Sequence, residues 1–259
     1  MRAVADISAL LAEHNRLELQ GAPESFGAWM RINCRIDPRD EIFRFFARHP
    51  SSRNPVRDYL ADGWRTLAEL MVVLERLERP LLGTGHVLEF AAGFGRFTRH
   101  LAPLLPGRIS VSDVQPGSVE FVRSEFGVEG FYSDPDPARI AFPRQYDLVF
   151  VLSLFTHLRP AAWPAWLAAL RRAVAPGGLL LFTVCSEAAA RESGVAFERD
   201  GTRYLASSES SALEAEVYGT TYTTRRFVEQ SVAGAWGAPP SACFDTAFWA
   251  GQDAIACKA

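Results

Sequence analysis

The sequence of 259 residues carries 27 Lys and Arg against 30 Asp and Glu, which gives a net charge of −3. Lys258 is the only lysine, so a P-loop, which needs a lysine directly after its glycines, is excluded. Enzymes that form a Schiff base with an interior lysine are excluded for the same reason. The near-neutral balance shows no basic cluster, so we expect no nucleic-acid partner.

The spacing of the cysteines and the length of the apolar runs decide whether metal sites, disulfides or membrane spans are predicted. Cys34, Cys185, Cys243 and Cys257 form no Cys-x-x-Cys pair, so neither a metal site nor a dense disulfide framework is predicted. The longest apolar runs, such as Leu148–Phe155, are too short to cross a bilayer. We therefore expect a cytoplasmic protein with no membrane partner.

Residues 1–80 have a helical pattern and contain no convincing strand. Leucines near residues 10–19 predict a first helix, and Phe43, Phe45 and Phe46 lie in a second, where they fit a core better than a substrate platform. A third helix begins with Asn54 as its N-cap and Pro55 at its first position, where the missing N–H costs nothing. We predict that residues 1–80 form a helical cap.

From residue 81 onward, short apolar strands alternate with helices, which predicts right-handed crossovers and a parallel sheet. The predicted strands are Val87–Phe90, Ile109–Asp113, Gly130–Tyr132, Asp147–Leu152 and Leu179–Val184. The predicted helices between them are Phe97–Leu105, Ser118–Phe126 and Trp163–Val174.

A polar insertion at residues 186–221 interrupts this alternation. It is followed by a helix near Thr224–Val232 and by strands near Ala242–Phe248 and Asp253–Cys257. A short turn separates these two strands, so they form an antiparallel hairpin. The predicted fold class is α/β: residues 81–259 form a Rossmann-like, doubly wound sheet, mostly parallel with an antiparallel final hairpin, beside an N-terminal helical cap.

Ligands of open parallel sheets bind outside the carboxyl ends of the strands. Glu89 lies at the end of the first strand, and Gly93 and Gly95 lie in the turn that follows it. Glycines there allow a tight turn and a close approach of the backbone to a ligand. Asp113 ends the second strand, where a carboxylate can accept both hydroxyls of a ribose. Together these residues indicate a cofactor that contains adenosine.

The identity of the cofactor follows from two further positions. Thr98 stands where a nicotinamide fingerprint needs its third glycine. The carboxylate of Glu89 would repel a pyrophosphate, whereas it would attract a cationic amine. These residues favour S-adenosylmethionine over NAD. A nicotinamide-dependent oxidoreductase, or a non-catalytic binding module with the same fold, remains an alternative.

The segment Val87–Arg96 resembles the first motif of class I S-adenosylmethionine-dependent methyltransferases, acid-x-Gly-x-Gly-x-Gly, with Ala91 in place of the first glycine. Tyr146–Ser153 and Pro176–Phe182 resemble the family's fourth strand and the entry to its fifth. The likeness covers roughly residues 55–259 and points to the type 11/12-like enzymes that act on small molecules.

The resemblance implies a set of cofactor contacts at the ends of the first four strands and on one cap helix. We expect them from Glu89, Ala91, Gly93, Gly95, Asp113, Val114, Ser133, Asp134, Leu152, Ser153, Leu154 and Tyr59. Ser133 and Asp134 fit a plain turn equally well, and the helix of Tyr59 fits simple packing on the sheet.

The implied activity is methyl transfer to an O or N atom of a small-molecule acceptor, such as a sugar or secondary metabolite. His157 is the candidate base for a hydroxyl acceptor; alternatively, it only orders its loop. The 186–221 insertion, with Tyr218 near its end, is expected near the acceptor pocket.

Overall fold

The computed structural model describes residues 6–19, 26–207 and 219–259. Its first helices are α1 (Ile7–Leu19), α2 (Phe26–Met30), α3 (Glu41–Arg48) and α4 (Pro55–Arg76). The sequence predicted three of these helices, and α2 was missed because a five-residue helix is too short to show a periodic pattern.

Side chains at their starts fix where α3 and α4 begin. The Asp40 carboxylate accepts the backbone amide protons of α3's first turn, including that of Phe43 at 3.0 Å. The Asn54 side chain accepts the amide proton of Arg57 at 3.0 Å, and Pro55 opens α4 as predicted. These bonds satisfy amide groups that a first helical turn leaves unpaired.

Strands and helices then alternate along the chain. The first strands are β1 (Val87–Phe90), β2 (Ile109–Asp113), β3 (Glu129–Tyr132), β4 (Tyr146–Val151) and β5 (Val174–Cys185). The helices between them are α5 (Thr98–Leu101), α6 (Ser118–Phe126) and α7 (Trp163–Ala173). After β5 come α8 (Glu187–Glu192), β6 (Thr202–Leu205), β7 (Thr220–Thr223), α9 (Arg225–Trp236), β8 (Ala242–Phe248) and β9 (Gln252–Lys258).

The sheet confirms the predicted fold class. Its main order is β3-β2-β1-β4-β5, and the neighbours in this run are parallel. β9 pairs antiparallel with β5, and β8 pairs antiparallel with β9, which is the predicted closing hairpin. The strand order reverses between β1 and β4, and the carboxyl ends of these strands form the crevice where such sheets bind ligands.

Two details differ from the sequence prediction. The predicted helix Phe97–Leu105 shortens to α5, because Pro103 lacks an N–H and its ring clashes with the carbonyl four residues earlier. In the insertion, α8, β6 and β7 were not predicted, since their Thr-rich and Glu-rich segments lack apolar alternation. β6 and β7 pair antiparallel. β7 joins the sheet through Tyr222, which pairs with Cys185 at the end of β5.

Each face of the sheet is covered by helices. On one face, Trp163 of α7 and Val232 of α9 pack on residues such as Phe182. On the other face, Leu70 and Leu74 of α4 pack with strand residues. The last helix of the predicted cap therefore covers the sheet itself. None of the helices described in the structure has both the length and the apolar character that a membrane span requires.

Candidate cofactor and acceptor site

A cavity of about 290 Å³ lies at the carboxyl ends of β1, β2 and β4. We call one side of it the strand-end wall, which consists of lining residues at or directly after these strands. They are Glu89, Ala91, Ala92, Gly93, Phe94, Arg96, Phe97, Asp113, Val114, Gln115, Leu152, Ser153 and Leu154. We call the other side the aromatic wall, formed by Ile42, Phe45 and Phe46 of α3 and by Trp249 after β8.

Asp113 ends β2 and is almost completely buried. Its carboxylate accepts the amide proton of Gly93 at 2.7 Å and that of Gln115 at 2.8 Å. Burial raises the pKa of Asp113, while these amides and that of Val114 lower it and the nearby Asp40 charge raises it further. Asp113 therefore ties the turn after β1 to the turn after β2 and presents a carboxylate at the crevice.

Glu89 is buried at the end of β1 and accepts a hydrogen bond from the Thr98 hydroxyl at 2.6 Å. Burial raises the pKa of Glu89 to about 8; the Thr98 bond opposes this shift and the Asp113 charge adds to it. Thr98 occupies the position of the third glycine of a nicotinamide fingerprint. In this chain its side chain serves to hold Glu89.

The two glycines of the turn have different surroundings. Both have left-handed backbone, with φ of +56° at Gly93 and +76° at Gly95. A Cβ on Gly93 would meet no atom within 4 Å, whereas one on Gly95 would lie 2.5 Å from the Phe126 ring. Gly93 thus leaves open space in the cavity, and Gly95 allows the turn to pack closely on α6.

Two residues of the strand-end wall are left-handed although they are not glycine. Ala91, where the methyltransferase motif has its first glycine, has a φ of +62°, and Ser153 after β4 has a φ of +61°. The amide of Ala91 is held by the carbonyl of Ser112 at 2.8 Å. Such a conformation costs about 1–2 kcal/mol for a residue with a Cβ.

The lining of the cavity is rich in carboxylates. Those that the structure describes there are Asp40, Glu41, Asp62, Glu89 and Asp113. Arg96 is the one guanidinium among the described lining residues, and it pairs with Asp62. Within the described ranges, no group of three or more His, Cys, Asp or Glu side chains is arranged to hold a metal ion.

Asp40, one of these lining residues, lies at the centre of a buried polar cluster. Its carboxylate accepts the Tyr59 hydroxyl proton at 2.5 Å, and the Tyr59 hydroxyl in turn accepts from Arg99 at 3.3 Å. Burial raises the pKa of Asp40, against the lowering effect of Tyr59, Phe43 and the two arginines nearby. The start of α3 is therefore fixed to α4 and, through Tyr59 and Arg99, to α5.

His157 lies in the segment after β4, lines the cavity and is mostly buried. Its Nδ1 lies 2.7 Å from the carbonyl oxygen of Gly219. A carbonyl only accepts hydrogen bonds, so Nδ1 carries the proton, and in the neutral ring Nε2 is the basic nitrogen. The same contact joins the β4 segment to the start of β7.

Gln252, the first residue of β9, holds the segment after β4 through hydrogen bonds. The Gln252 amide donates to the Ser153 hydroxyl at 2.9 Å, and its oxygen accepts from Thr183 at 2.6 Å. The Thr183 hydroxyl also accepts the amide proton of Ser153 at 2.8 Å. Gln252 itself lines the cavity.

The structure brings most of the sequence-predicted site residues together. Those that line the cavity are Glu89, Ala91, Gly93, Asp113, Val114, Leu152, Ser153, Leu154 and His157.

Four other predicted residues do not line it. Gly95 faces α6. Tyr59 is fully buried, and its hydroxyl donates a hydrogen bond to the Asp40 carboxylate. Ser133 and Asp134 form the plain turn after β3, where the Asp134 carboxylate accepts the amide proton of Asp136 at 2.8 Å. Tyr218 lies outside the described residues.

Sequence reasoning missed several lining residues. Phe45 and Phe46, assigned to the core, reach the cavity, and only Phe43 is fully buried. Trp249 and Gln252 come from the turn and strand that close the chain. The periodicity of α3 gave a signal: Phe45, two residues after Phe43, points to the opposite side of the helix, whereas Phe46, three residues after Phe43, shares its face, so one core could not take all three.

Comparisons with known proteins agree with this architecture. Residues 87–178 match the family model described as a methyltransferase domain. A search of curated proteins found no match.

Solved structures with similar folds include three that cover most of this chain. DhpI, in a SAM-HEP complex, is 22% identical, covers 79% of this chain and 95% of its own, and has a TM-score of 0.51. The S-adenosylmethionine-dependent methyltransferase SibL, in its apo form, is 17% identical over 98% of this chain and 70% of its own, with a TM-score of 0.53.

CalS10, an amino pentose methyltransferase from Micromonospora echinaspora solved with SAM bound, is 15% identical over 77% of this chain and 91% of its own, with a TM-score of 0.51. At these identities the likeness is one of fold. Together with the family match over residues 87–178, it supports a methyltransferase domain of this fold, in agreement with the sequence motifs.

Proposed function

We propose, from the premise that residues 87–178 form a methyltransferase domain of class I fold, that this chain transfers a methyl group from S-adenosylmethionine to an O or N atom of a small molecule. One observation carries the proposal: two buried carboxylates, Glu89 and Asp113, meet at one cavity beside the open space at Gly93. A cofactor with a ribose and a cationic amine, and without phosphates, matches these groups.

The residues present fit this cofactor. The carboxylate of Asp113 has roughly four acceptor positions, and those that the nearby backbone amides do not take are available to ribose hydroxyls. Glu89 is suited to a cationic amine, because a positive neighbour offsets the burial that raises its pKa. Gly93 lets the backbone approach without a Cβ in the way.

Two other groups complete the proposed contacts. Arg96 is suited to a carboxylate at the methionine end, since a guanidinium can bind carboxylates on two sides and Asp62 already holds one of them. The backbone at Leu152, Ser153 and Leu154 is suited to border the adenosine. Gln252 and Thr183 fix this segment through Ser153.

When bound, the cofactor supplies an electrophilic methyl group on a sulfonium. The protein then has to align the acceptor with that group, and alignment can contribute roughly 7–11 kcal/mol of barrier lowering. The aromatic wall excludes water from the cavity. For a hydroxyl acceptor, Nε2 of His157 takes the proton, while the Gly219 carbonyl holds the ring in the tautomer that can do so.

The related folds support a small-molecule acceptor, since CalS10 is an amino pentose methyltransferase and acts in calicheamicin biosynthesis. A sugar or secondary metabolite is therefore the broad class proposed for this chain.

Calorimetric titration with S-adenosylhomocysteine tests the proposal. Wild-type protein should bind it, and Asp113→Ala should weaken binding about a hundredfold or more, because two hydrogen bonds to a charged group are lost. Asp245→Ala, which removes an exposed carboxylate outside the cavity, is the matched control.

The melting curve of each variant shows whether it is folded. Unchanged binding by a folded Asp113→Ala variant would contradict the site. A titration with NADH distinguishes the nicotinamide alternative, and we expect no binding there.

A further inference from the structure

We propose, on the basis of the function above, that the acceptor is an aromatic compound without an anionic group, and that its ring packs against the rings of Phe45 and Trp249 from the cavity. The inference rests on the aromatic wall and on the charges around the cavity.

Phe45 and Trp249 reach the cavity from distant parts of the chain. Their ring centroids lie 6.5 Å apart at an interplanar angle of 86°, an edge-to-face contact. Each ring is only partly buried, so part of its surface remains accessible. Aromatic pairs favour this geometry and contribute about 0.5–1.5 kcal/mol beyond the area they bury. A third ring placed in the cavity could extend the cluster.

Neighbouring groups hold both rings in place. The centroid of the Phe45 ring lies 5.8 Å from that of the Phe46 ring and 5.1 Å from that of the His49 ring. Burial raises the pKa of the Glu69 carboxylate on α4, while Arg65 and the backbone N–H of Trp249 lower it, so the backbone of Trp249 lies beside that carboxylate. The two rings are thus anchored to helices α3 and α4, and a flat ligand in the cavity can pack against them without separating them.

Charge then limits which aromatic compound fits. Two of the lining carboxylates, Asp40 and Glu41, lie at the start of the same helix that carries Phe45. Arg96, the one guanidinium among the described lining residues, is paired with Asp62 on one side and, in the proposed function, binds the cofactor's carboxylate on the other, so it is not open to the acceptor. Glu41 pairs with Arg44, which leaves the lining carboxylates in excess over the lining cations. A phosphate or carboxylate on the acceptor would therefore meet like charges in a site of low dielectric, where repulsion is strong. Neutral and cationic rings meet no such repulsion.

A simpler role for the aromatic wall is an apolar lid without preference for a ring. Phe45→Leu separates the two roles, because leucine keeps an apolar side chain but removes the ring. Under the lid alternative this variant binds acceptors as the wild type does. Under our proposal it loses its preference for aromatic over saturated rings.

The experiment measures binding of three probes to protein saturated with S-adenosylhomocysteine. Tyramine has an aromatic ring and an ammonium group, 4-hydroxyphenylacetate has the same ring and a carboxylate, and 2-cyclohexylethylamine has a saturated ring. We expect tyramine to bind about tenfold or more tightly than the carboxylate probe, and about threefold to tenfold more tightly than the saturated amine.

Phe45→Leu should weaken tyramine binding by the same threefold to tenfold and leave the saturated amine unaffected. Tyr132→Leu, which removes an exposed ring outside the cavity, is the matched control. No binding of tyramine, equal binding of the carboxylate probe, or an unaltered ring preference in Phe45→Leu overturns the proposal. Failure of S-adenosylhomocysteine itself to bind would instead overturn the proposed function.

Discussion

The strand-end wall and the aromatic wall enclose one cavity but are held in different ways. Backbone groups hold the strand-end wall: the amides of Gly93 and Gln115 donate to Asp113, and the amide of Ala91 donates to a carbonyl of β2. Side chains hold the aromatic wall, through ring contacts between Phe45 and Trp249.

This difference suggests a division of roles. A wall fixed by backbone hydrogen bonds changes little when side chains are substituted, and it suits a cofactor that stays the same. A wall built of side chains can change its shape with each substitution, and it suits an acceptor that varies among related enzymes. Variants on one wall should therefore affect cofactor binding or acceptor use separately, and the predictions below test that separation.

The largest effect is expected at His157, on the acceptor side. In His157→Asn the amide nitrogen can still donate to the Gly219 carbonyl, but no base remains. We expect methyl transfer to a phenol such as tyramine to fall by about a hundredfold or more, while affinity for S-adenosylhomocysteine is retained. Single-turnover assays across pH, with His157→Ala as the variant that also loses the loop contact, measure this. Activity near that of wild type in His157→Asn would limit His157 to ordering the loop.

Gly95→Ala should cause the largest loss of stability, in the turn that packs the strand-end wall on α6. The new Cβ would lie 2.5 Å from the Phe126 ring in a left-handed backbone, so packing and backbone strain add to about 3 kcal/mol. Gly127→Ala is the control for backbone strain alone, since Gly127 has a φ of +66° and open space around it. Urea denaturation measures both variants. Equal losses would show that the contact with α6 contributes nothing.

Glu89→Gln should change stability and binding in opposite directions. The carboxyl holds its proton up to a pH of about 8 in the folded protein but only to its ordinary value of 4.5 when unfolded. Ionisation therefore lowers the stability of the ligand-free protein as pH rises through this window. Glutamine removes that dependence, keeps the acceptor for Thr98, and should make the variant more stable than wild type at pH 8.

Binding provides the second half of this test. A cationic cofactor favours the ionised form of Glu89, so affinity of the wild type should rise as pH increases toward 8. Glu89→Gln should bind about tenfold more weakly, because a charge-assisted hydrogen bond becomes a neutral one, and its affinity should no longer follow pH. Titrations of S-adenosylmethionine at several pH values measure this. A variant that is both less stable and equally tight in binding would contradict the role of Glu89.

The contrast between the walls also explains what the sequence could predict. The strand-end wall follows directly from chain order, since Glu89, Gly93 and Asp113 come at the ends of apolar strands that parallel pairing must bring together. The sheet and its closing hairpin follow from the same alternation. Ser133 and Asp134 were expected at the site by the same logic, but their side chains and backbone form a local turn, which chain order alone does not reveal.

The aromatic wall could not be predicted in this way. Trp249 and Phe45 are separated by most of the chain, and their contact depends on how α3 lies over the sheet. Similarly, Tyr59 was expected at the cofactor, and its burial follows from the position of Asp40, whose role as N-cap of α3 had no apolar pattern to mark it. Contacts between side chains of distant segments leave no periodic signal in the sequence.

The smallest effect is expected at Ala91, where the methyltransferase motif has a glycine. Ala91→Gly should stabilise the protein by about 0.5–1 kcal/mol, since relief of left-handed strain exceeds the entropy that glycine adds to the unfolded chain. The neighbouring Ala92, which lacks a positive φ, is the matched control, and Ala92→Gly should destabilise by a similar amount. Opposite signs for two adjacent alanine-to-glycine changes, measured by urea denaturation, can only come from the backbone conformation of the turn. A loss of stability in both variants would mean that the Ala91 methyl group contributes packing that outweighs its strain.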